Sequence, residues 1–225
     1  AAAAAGVQRF VHMSSMAVYR DFVGLRRESA PLGPANAYGL GKLLGEQMHQ
    51  AVAAASDMPY VILRPPCVYG ETHAATDWTE IMAKVMRRAP LLPLPMGGDF
   101  ALSMVHVDSL AAACIAGLTT DSVNAAYNAH DAQDVRIIDI VAIYRRVMGR
   151  APLILPIPAI LLDTLTWLPT TLNGGLPLSH RMREGIVSDT TAAARYLAFD
   201  AGAHTFLDTF REVLTSHRQA MVRPL

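Results

Sequence analysis

The chain places short apolar runs ahead of long helical stretches, and this order constrains its fold more than any other feature. Arg9 to Met13 (RFVHM) is followed, after a loop rich in Arg, Gly and Pro, by a stretch from Asn36 to about Ser56 rich in Ala, Leu, Lys, Glu and Gln. Tyr60 to Leu63 (YVIL) forms a second run, closed by Arg64-Pro65-Pro66, since prolines end ladder pairing. Ser103 to Val107 and Ala125 to Asn128 read as further strands, and Trp78 to Arg88, Ser109 to Leu118 and Val135 to Met148 as further helices. Strands alternating with helices predict an α/β protein with a parallel sheet. Asn36 and Asp108 stand where helix N-caps accept from unpaired amides. Ala1 to Ala5 reads as a last helical turn capped by Gly6, Leu91 to Gly98 as a turn-rich connection, and the tail from Ser188 as two short helices.

With 225 residues, 52% of them hydrophobic and 17% charged, the chain can bury a substantial core. Nineteen basic residues balance nineteen acidic ones, which removes the electrostatic footprint of a nucleic-acid binder. Cys67 and Cys114 lie far apart without CxxC spacing, so disulfide scaffolds and zinc fingers are excluded and a reducing, cytoplasmic setting is expected. The most apolar stretch, Pro152 to Pro169, is broken by Pro156, Pro158 and Asp163, whereas a membrane-spanning helix needs about 20 apolar residues in a row. It is expected to be a hydrophobic helix of a substrate lobe or a partner interface, a peripheral membrane contact or a pocket for a greasy substrate being the other readings.

The sharpest chemical feature is Tyr38 followed by Lys42. Residues four apart share a helical face, so the ammonium can lie beside the phenol. A free tyrosine, with a pKa of about 10, is a poor base at neutral pH, and a nearby cation lowers that value. Tyr-x-x-x-Lys alone arises by chance in many helices. Its neighbours add weight: Ser14 and Ser15 end one strand and Arg64 to Gly70 ends the next, both at the edge where doubly wound sheets bind ligands.

Four motifs in order, SSMAVY (Ser14 to Tyr19), PANAYGLGKLLGE (Pro34 to Glu46), LRPPCVYG (Leu63 to Gly70) and VHVDSLAAA (Val105 to Ala113), resemble the extended short-chain dehydrogenase/reductases. That group includes the NAD-dependent epimerase/dehydratases and the 3β-hydroxysteroid dehydrogenase-like enzymes. The tail, SDTTAAARYLAF (Ser188 to Phe199), resembles the family's near-terminal helix. The resemblance implies the C-terminal part of a doubly wound Rossmann-type fold plus a small, mostly helical substrate lobe. Residues 1–150 would hold the partial nucleotide-binding domain with interleaved lobe segments, and 151–225 mostly the lobe.

It further implies NAD or NADP as cofactor and a small-molecule carbonyl or hydroxyl substrate. Tyr38 would be the acid/base, Lys42 the group that lowers its pKa and holds the nicotinamide ribose, and Ser15 the hydroxyl that positions the reacting oxygen. Ser14, Pro65 and Pro66 would lie against the cofactor, and Met16, Cys67 and His73 against the substrate. No metal is expected: His106 and Asp108 are explained as alternate strand residues plus an N-cap, and His12 is solitary. Gly39, Gly41 and Gly45 form a GxGxxxG string inside the Tyr38 helix, where close packing explains glycine better than a phosphate loop.

Family members acting on nucleotide sugars usually carry an Arg-Asp-Phe-type start before the VHVD strand and an Asn after the RP motif. Leu102-Ser103-Met104 and Cys67 hold those places here, so a substrate less polar than a nucleotide sugar is expected. The family's opening strand and GxxGxxG turn are not among the 225 residues, so roughly the first third of a complete enzyme is expected to be missing and the chain alone to be inactive. Two function classes follow: an NAD(P)-dependent oxidoreductase or epimerase/dehydratase, and a non-catalytic binding or assembly module keeping part of the fold. A homodimer through the Tyr38 helix, using Leu43, Leu44 and Met48, is possible, and core packing explains those residues equally well.

Overall fold

The computed structural model describes residues 2–20, 25–71, 77–158, 160–161, 163–164 and 187–222. Its centre is a parallel sheet of three strands in the order β1 (Phe10–Met13), β3 (Tyr60–Arg64), β8 (Ala125–Asn128), with Met13 beside Leu63 and Arg64 beside Asn128. β3, apolar up to Arg64 at its end, is buried along its whole length, whereas β1 is a half-buried edge strand. Such a run suits a strand covered on both faces.

Side chains alternate between the faces of a strand, and the two faces carry different helices. His12 points at α1 (Ala37–Ser56), where a Cβ on Gly45 would stand 3.0 Å from the imidazole. Val11 and its neighbour Val61 point the other way, at Gly117 of α3 (Val107–Thr119). Between α3 and the sheet lies a core of Val61, Leu63, Val105, Leu110 and Tyr127, closed by Leu197 of α5 (Thr191–Leu197) and by Phe199.

A second core joins α2 (Trp78–Arg88), α4 (Ile137–Met148) and α6 (Phe206–Val222) around Met82, Met86, Ile140, Tyr144, Phe206 and Phe210. Paired short strands edge it: β4 (Cys67–Tyr69) with β7 (Met104–His106), β5 (Leu91–Pro95) with β10 (Leu153–Ile157), and β6 (Ala101–Leu102) with β9 (Val135–Arg136). A further pair, β2 (Leu25–Arg26) with β11 (Val187–Ser188), lies outside it. This core draws on residues from both sides of position 150, and α5 returns from the tail to the sheet.

Several expectations are corrected. Leu91 to Pro95 is a strand rather than a turn, and Leu153–Ile157, expected as helix, is its parallel partner. Among the described residues no further strand joins the pair, so each strand keeps an outer edge where proline is tolerated. β7 runs straight into α3, so the N-cap is His106, whose Nδ1 accepts from the Asp108 amide at 3.2 Å, and Asp108 falls in the first turn. The last helix has 17 residues and is not short. Leu43 packs against the small core of Met16, Val18 and Tyr19, leaving Leu40, Leu44, Met48 and Val52 as the exposed apolar stripe of α1. Among the described residues no helix is long and apolar enough to cross a membrane.

Candidate active site

The site begins where β1 ends. Ser15 is in extended conformation, and its Oγ accepts from the Ala17 amide at 3.2 Å, starting a single 3₁₀ turn over Met16–Val18. The hydroxyl proton remains available to a substrate oxygen. Asn36 caps α1 by accepting from the Gly39 amide at 2.8 Å. At Gly39 a Cβ would fall 2.2 Å from the Ala17 carbonyl oxygen, so glycine alone lets the first turn of α1 press on the serine turn. Tyr38, next in sequence, is thereby brought beside Ser15 at a cavity of about 470 Å³.

Lys42 sits one turn along the same face. Its ammonium donates to the Met13 carbonyl at 3.0 Å and lies 5.7 Å from the centroid of the Tyr38 ring. The cavity wall from β3 and β4 contributes Pro66, Cys67 and Val68, and Met16 and Ala17 join from the serine turn. Burial pushes the Cys67 thiol up to about 11, so at neutral pH it is a protonated, weakly polar wall rather than a nucleophile. The Pro65 carbonyl accepts from the Met16 amide at 3.0 Å, joining the two strand-end loops.

Ser15, Met16, Tyr38, Pro66 and Cys67 are thus brought together around one cavity, with Lys42 immediately behind. Ser14 is not: it is buried, and its hydroxyl donates inward to Glu46 at 2.5 Å. His73 lies outside the described residues. The GxGxxxG string divides, since Gly39 and Gly45 allow close approach while nothing lies within 4 Å of a Cβ at Gly41.

Sequence reasoning missed the lobe side of the cavity, made by Trp78, Leu102 and Ser103. Leu102 and Ser103 had been singled out only as departures from a family pattern. The signal for Trp78 was a large aromatic at the start of the helix that follows the RP loop. The Ser103 hydroxyl is already engaged, donating to Asp134 at 2.7 Å.

Beneath the cavity lies a buried ion pair. Glu46 accepts from Arg64 through both oxygens, from Nε at 2.9 Å and Nη2 at 2.7 Å. Arg64 Nη1 also donates to the Tyr19 phenol and the Glu28 carbonyl, each at 3.1 Å, and Tyr19 donates to Asn128 at 2.7 Å. Burial works against the Arg64 charge, but the bonds to Glu46 and Tyr19 outweigh it and hold the guanidinium above its ordinary pKa.

The sequence matches the model of the NAD dependent epimerase/dehydratase family over residues 1–129. The chain belongs to that family. An uncharacterized protein of Sinorhizobium fredii, y4nG, is 32% identical over 130 residues, 55% of this chain and 32% of that protein, so the chain spans about a third of that curated relative. Among solved structures, UDP-glucuronic acid 4-epimerase from Bacillus cereus with NAD superposes with TM-score 0.76 at 18% identity, over 97% of this chain and 64% of that one. UDP-glucose 4-epimerase from Thermotoga maritima with UDP-glucose gives 0.72 at 17%, over 98% and 66%. RMD from Pseudomonas aeruginosa with NADPH gives 0.70 at 15%, over 94% and 66%. These likenesses show the Rossmann-type fold.

In this epimerase/dehydratase chain one further cluster bears on metal binding. His106, Asp108 and His204 bring ligand atoms within 4.8 Å of one another, and His204 was not anticipated. The two imidazoles stack 3.8 Å apart at 14°, so their in-plane lone pairs run side by side instead of converging. His106 Nδ1 is in addition engaged as the acceptor of the helix amide. The Tyr69 phenol donates to Asp131 just beneath it.

Proposed function

We propose that this chain supplies the catalytic groups of a nicotinamide-dependent epimerase/dehydratase or dehydrogenase acting on a carbonyl or hydroxyl substrate less polar than a nucleotide sugar. The observation that carries the chemistry is the convergence of Ser15 and Tyr38 on one cavity with the Lys42 ammonium behind the phenol. With that cation behind it, Tyr38 can take the proton of a substrate hydroxyl and return it in the reverse direction. Ser15 donates to the same oxygen and fixes its orientation. Trp78, Val68 and Leu102 keep water from the reacting carbon.

The donor set fits the nicotinamide-ribose end of NAD or NADP: an ammonium and a phenol for the ribose hydroxyls, and Pro66 as an apolar surface for the ring. When bound, that cofactor supplies the hydride acceptor and donor. The 225 residues hold no strand–GxxGxxG–helix unit, so the fit concerns that end of the cofactor alone.

Substrate polarity is read from the lining. Among the described residues it offers two serines, a phenol, a thiol and the Trp78 indole but no arginine or lysine, whereas an arginine fork is the usual partner of phosphate. We also propose a homodimer through the Leu40, Leu44, Met48 and Val52 stripe of α1, which sedimentation of the Leu44→Glu variant would test.

The deciding experiment assays the natural full-length protein with NAD or NADP, at 340 nm for net oxidation and by product chromatography for epimerisation or dehydration, which return the hydride, against apolar secondary alcohols and against UDP-glucose. Turnover of the alcohols, lost about 10²–10⁴-fold in Tyr38→Phe with cofactor affinity kept, is the expected result. Turnover of UDP-glucose alone would overturn the substrate class, and unchanged turnover in Tyr38→Phe would overturn the mechanism.

A further inference from the structure

The site residues sit on three separate elements, and one carboxylate touches or neighbours all three. Ser14, bonded to Glu46, precedes Ser15 at the end of β1. Arg64, bonded to Glu46 through two nitrogens, ends β3 and precedes Pro65 and Pro66. Glu46 itself follows Lys42 by one turn of α1 and Tyr38 by two. We propose that Glu46 and Arg64 are positioning residues that set the Tyr38–Lys42–Ser15 geometry by locking α1 to the ends of β1 and β3.

A structural role alone accounts poorly for this pair. Glu46 and Arg64 side chains are 1% and 4% exposed, and a buried ion pair of this kind is commonly replaceable by well-packed apolar residues without loss of stability. What an apolar pair cannot reproduce is direction. The Arg64 fork fixes the rotation of the carboxylate, the remaining Oε1 lone pair takes the Ser14 hydroxyl, and Nη1 reaches on to Tyr19 and Glu28. Holding Ser14 also holds the adjoining Met13 carbonyl, the acceptor of the Lys42 ammonium. The coupling therefore runs from Glu46 through the Ser14–Met13 backbone to Lys42, and from Lys42 to the phenol.

The inference rests on the assignment of Tyr38 and Lys42 above, but its test reads geometry rather than turnover, so a protein that turns over no substrate still answers it. Contacts between the Tyr38 ring and the Lys42 side chain are followed as nuclear Overhauser effects in the natural full-length protein carrying labelled tyrosine and lysine, with the Tyr38→Phe protein for assignment. The variants are the double substitution Glu46→Met with Arg64→Leu, and the milder Ser14→Ala. The double variant is expected to melt within a few degrees of the parent while the Tyr38–Lys42 contacts are lost. Ser14→Ala should weaken them. A folded double variant with unchanged contacts would overturn the proposal. If the double variant does not fold, unchanged contacts in folded Ser14→Ala overturn it equally.

Discussion

The two walls of the cavity are built on opposite plans. On the sheet side Ser15 and Tyr38 are polar, with Lys42 behind them, and the charges beneath, Glu46 and Arg64, are almost wholly buried. On the lobe side Trp78 and Leu102 are apolar beside Ser103, and the ion pairs of the neighbouring strand β9 are at the surface, with Arg136 half-exposed against Asp99 and Asp139. One ion pair is held out of water behind the candidate catalytic groups, and the other stands in it.

The contrast can be broken by removing one charge from each region. Glu46→Gln leaves the Arg64 guanidinium buried with its partner gone, and a loss of about 3–5 kcal/mol in unfolding free energy is expected from urea titration. Arg136→Ala should leave the melting temperature almost where it was, because exposed pairs contribute little. Equal effects would show that the burial difference has no energetic meaning.

The lobe wall is sharpened by Leu102→Arg. A guanidinium at the cavity gains a partner only from an anionic substrate, so kcat/KM for UDP-glucose relative to an apolar alcohol should rise about tenfold or more, the scale of a single pocket contact. An unchanged ratio would remove Leu102 from the specificity wall.

The smallest effect concerns pH. Burial, then the neighbouring His204, hold His106 below its ordinary value of 6.5, although Asp108 pulls it upward. The unfolded chain takes up a proton near 6.5 that the native ring refuses, so stability is kept above that pH and falls as pH drops through it. His12, lowered by burial and by His49, adds in the same sense. In His204→Ala the fall between pH 7 and pH 5 should be shallower by a few tenths of a kcal/mol, consistent with a one-unit difference being worth about 1.4. A steeper fall would reverse the assigned sign.

What could be read from sequence follows the same division. Tyr38 and Lys42 were legible because one helical turn joins them, and Ser15 because it ends a strand, whereas their meeting depends on the close approach of Gly39 to Ala17. Trp78 and Leu102 were not, since they meet Cys67 only after α2 and β7 have packed on β4, and no spacing encodes that. Pro93 and Pro156 hid a strand pair because proline ordinarily argues against a ladder. Ser14 was misdirected for a subtler reason: polar residues ending a strand open onto a site only if nothing inside claims them, and Glu46 claims this one.

A Cβ at Gly39 would strike main chain, and no rotamer can absorb that collision. Position 39 is consequently intolerant of drift, whereas Leu102 and Trp78 are side chains that can be exchanged one at a time. Under the function proposed above, descendants of such a scaffold can explore new substrates by point changes across the cavity while the Ser15–Tyr38 contact is inherited intact, so the choice of substrate is free to evolve faster than the reaction.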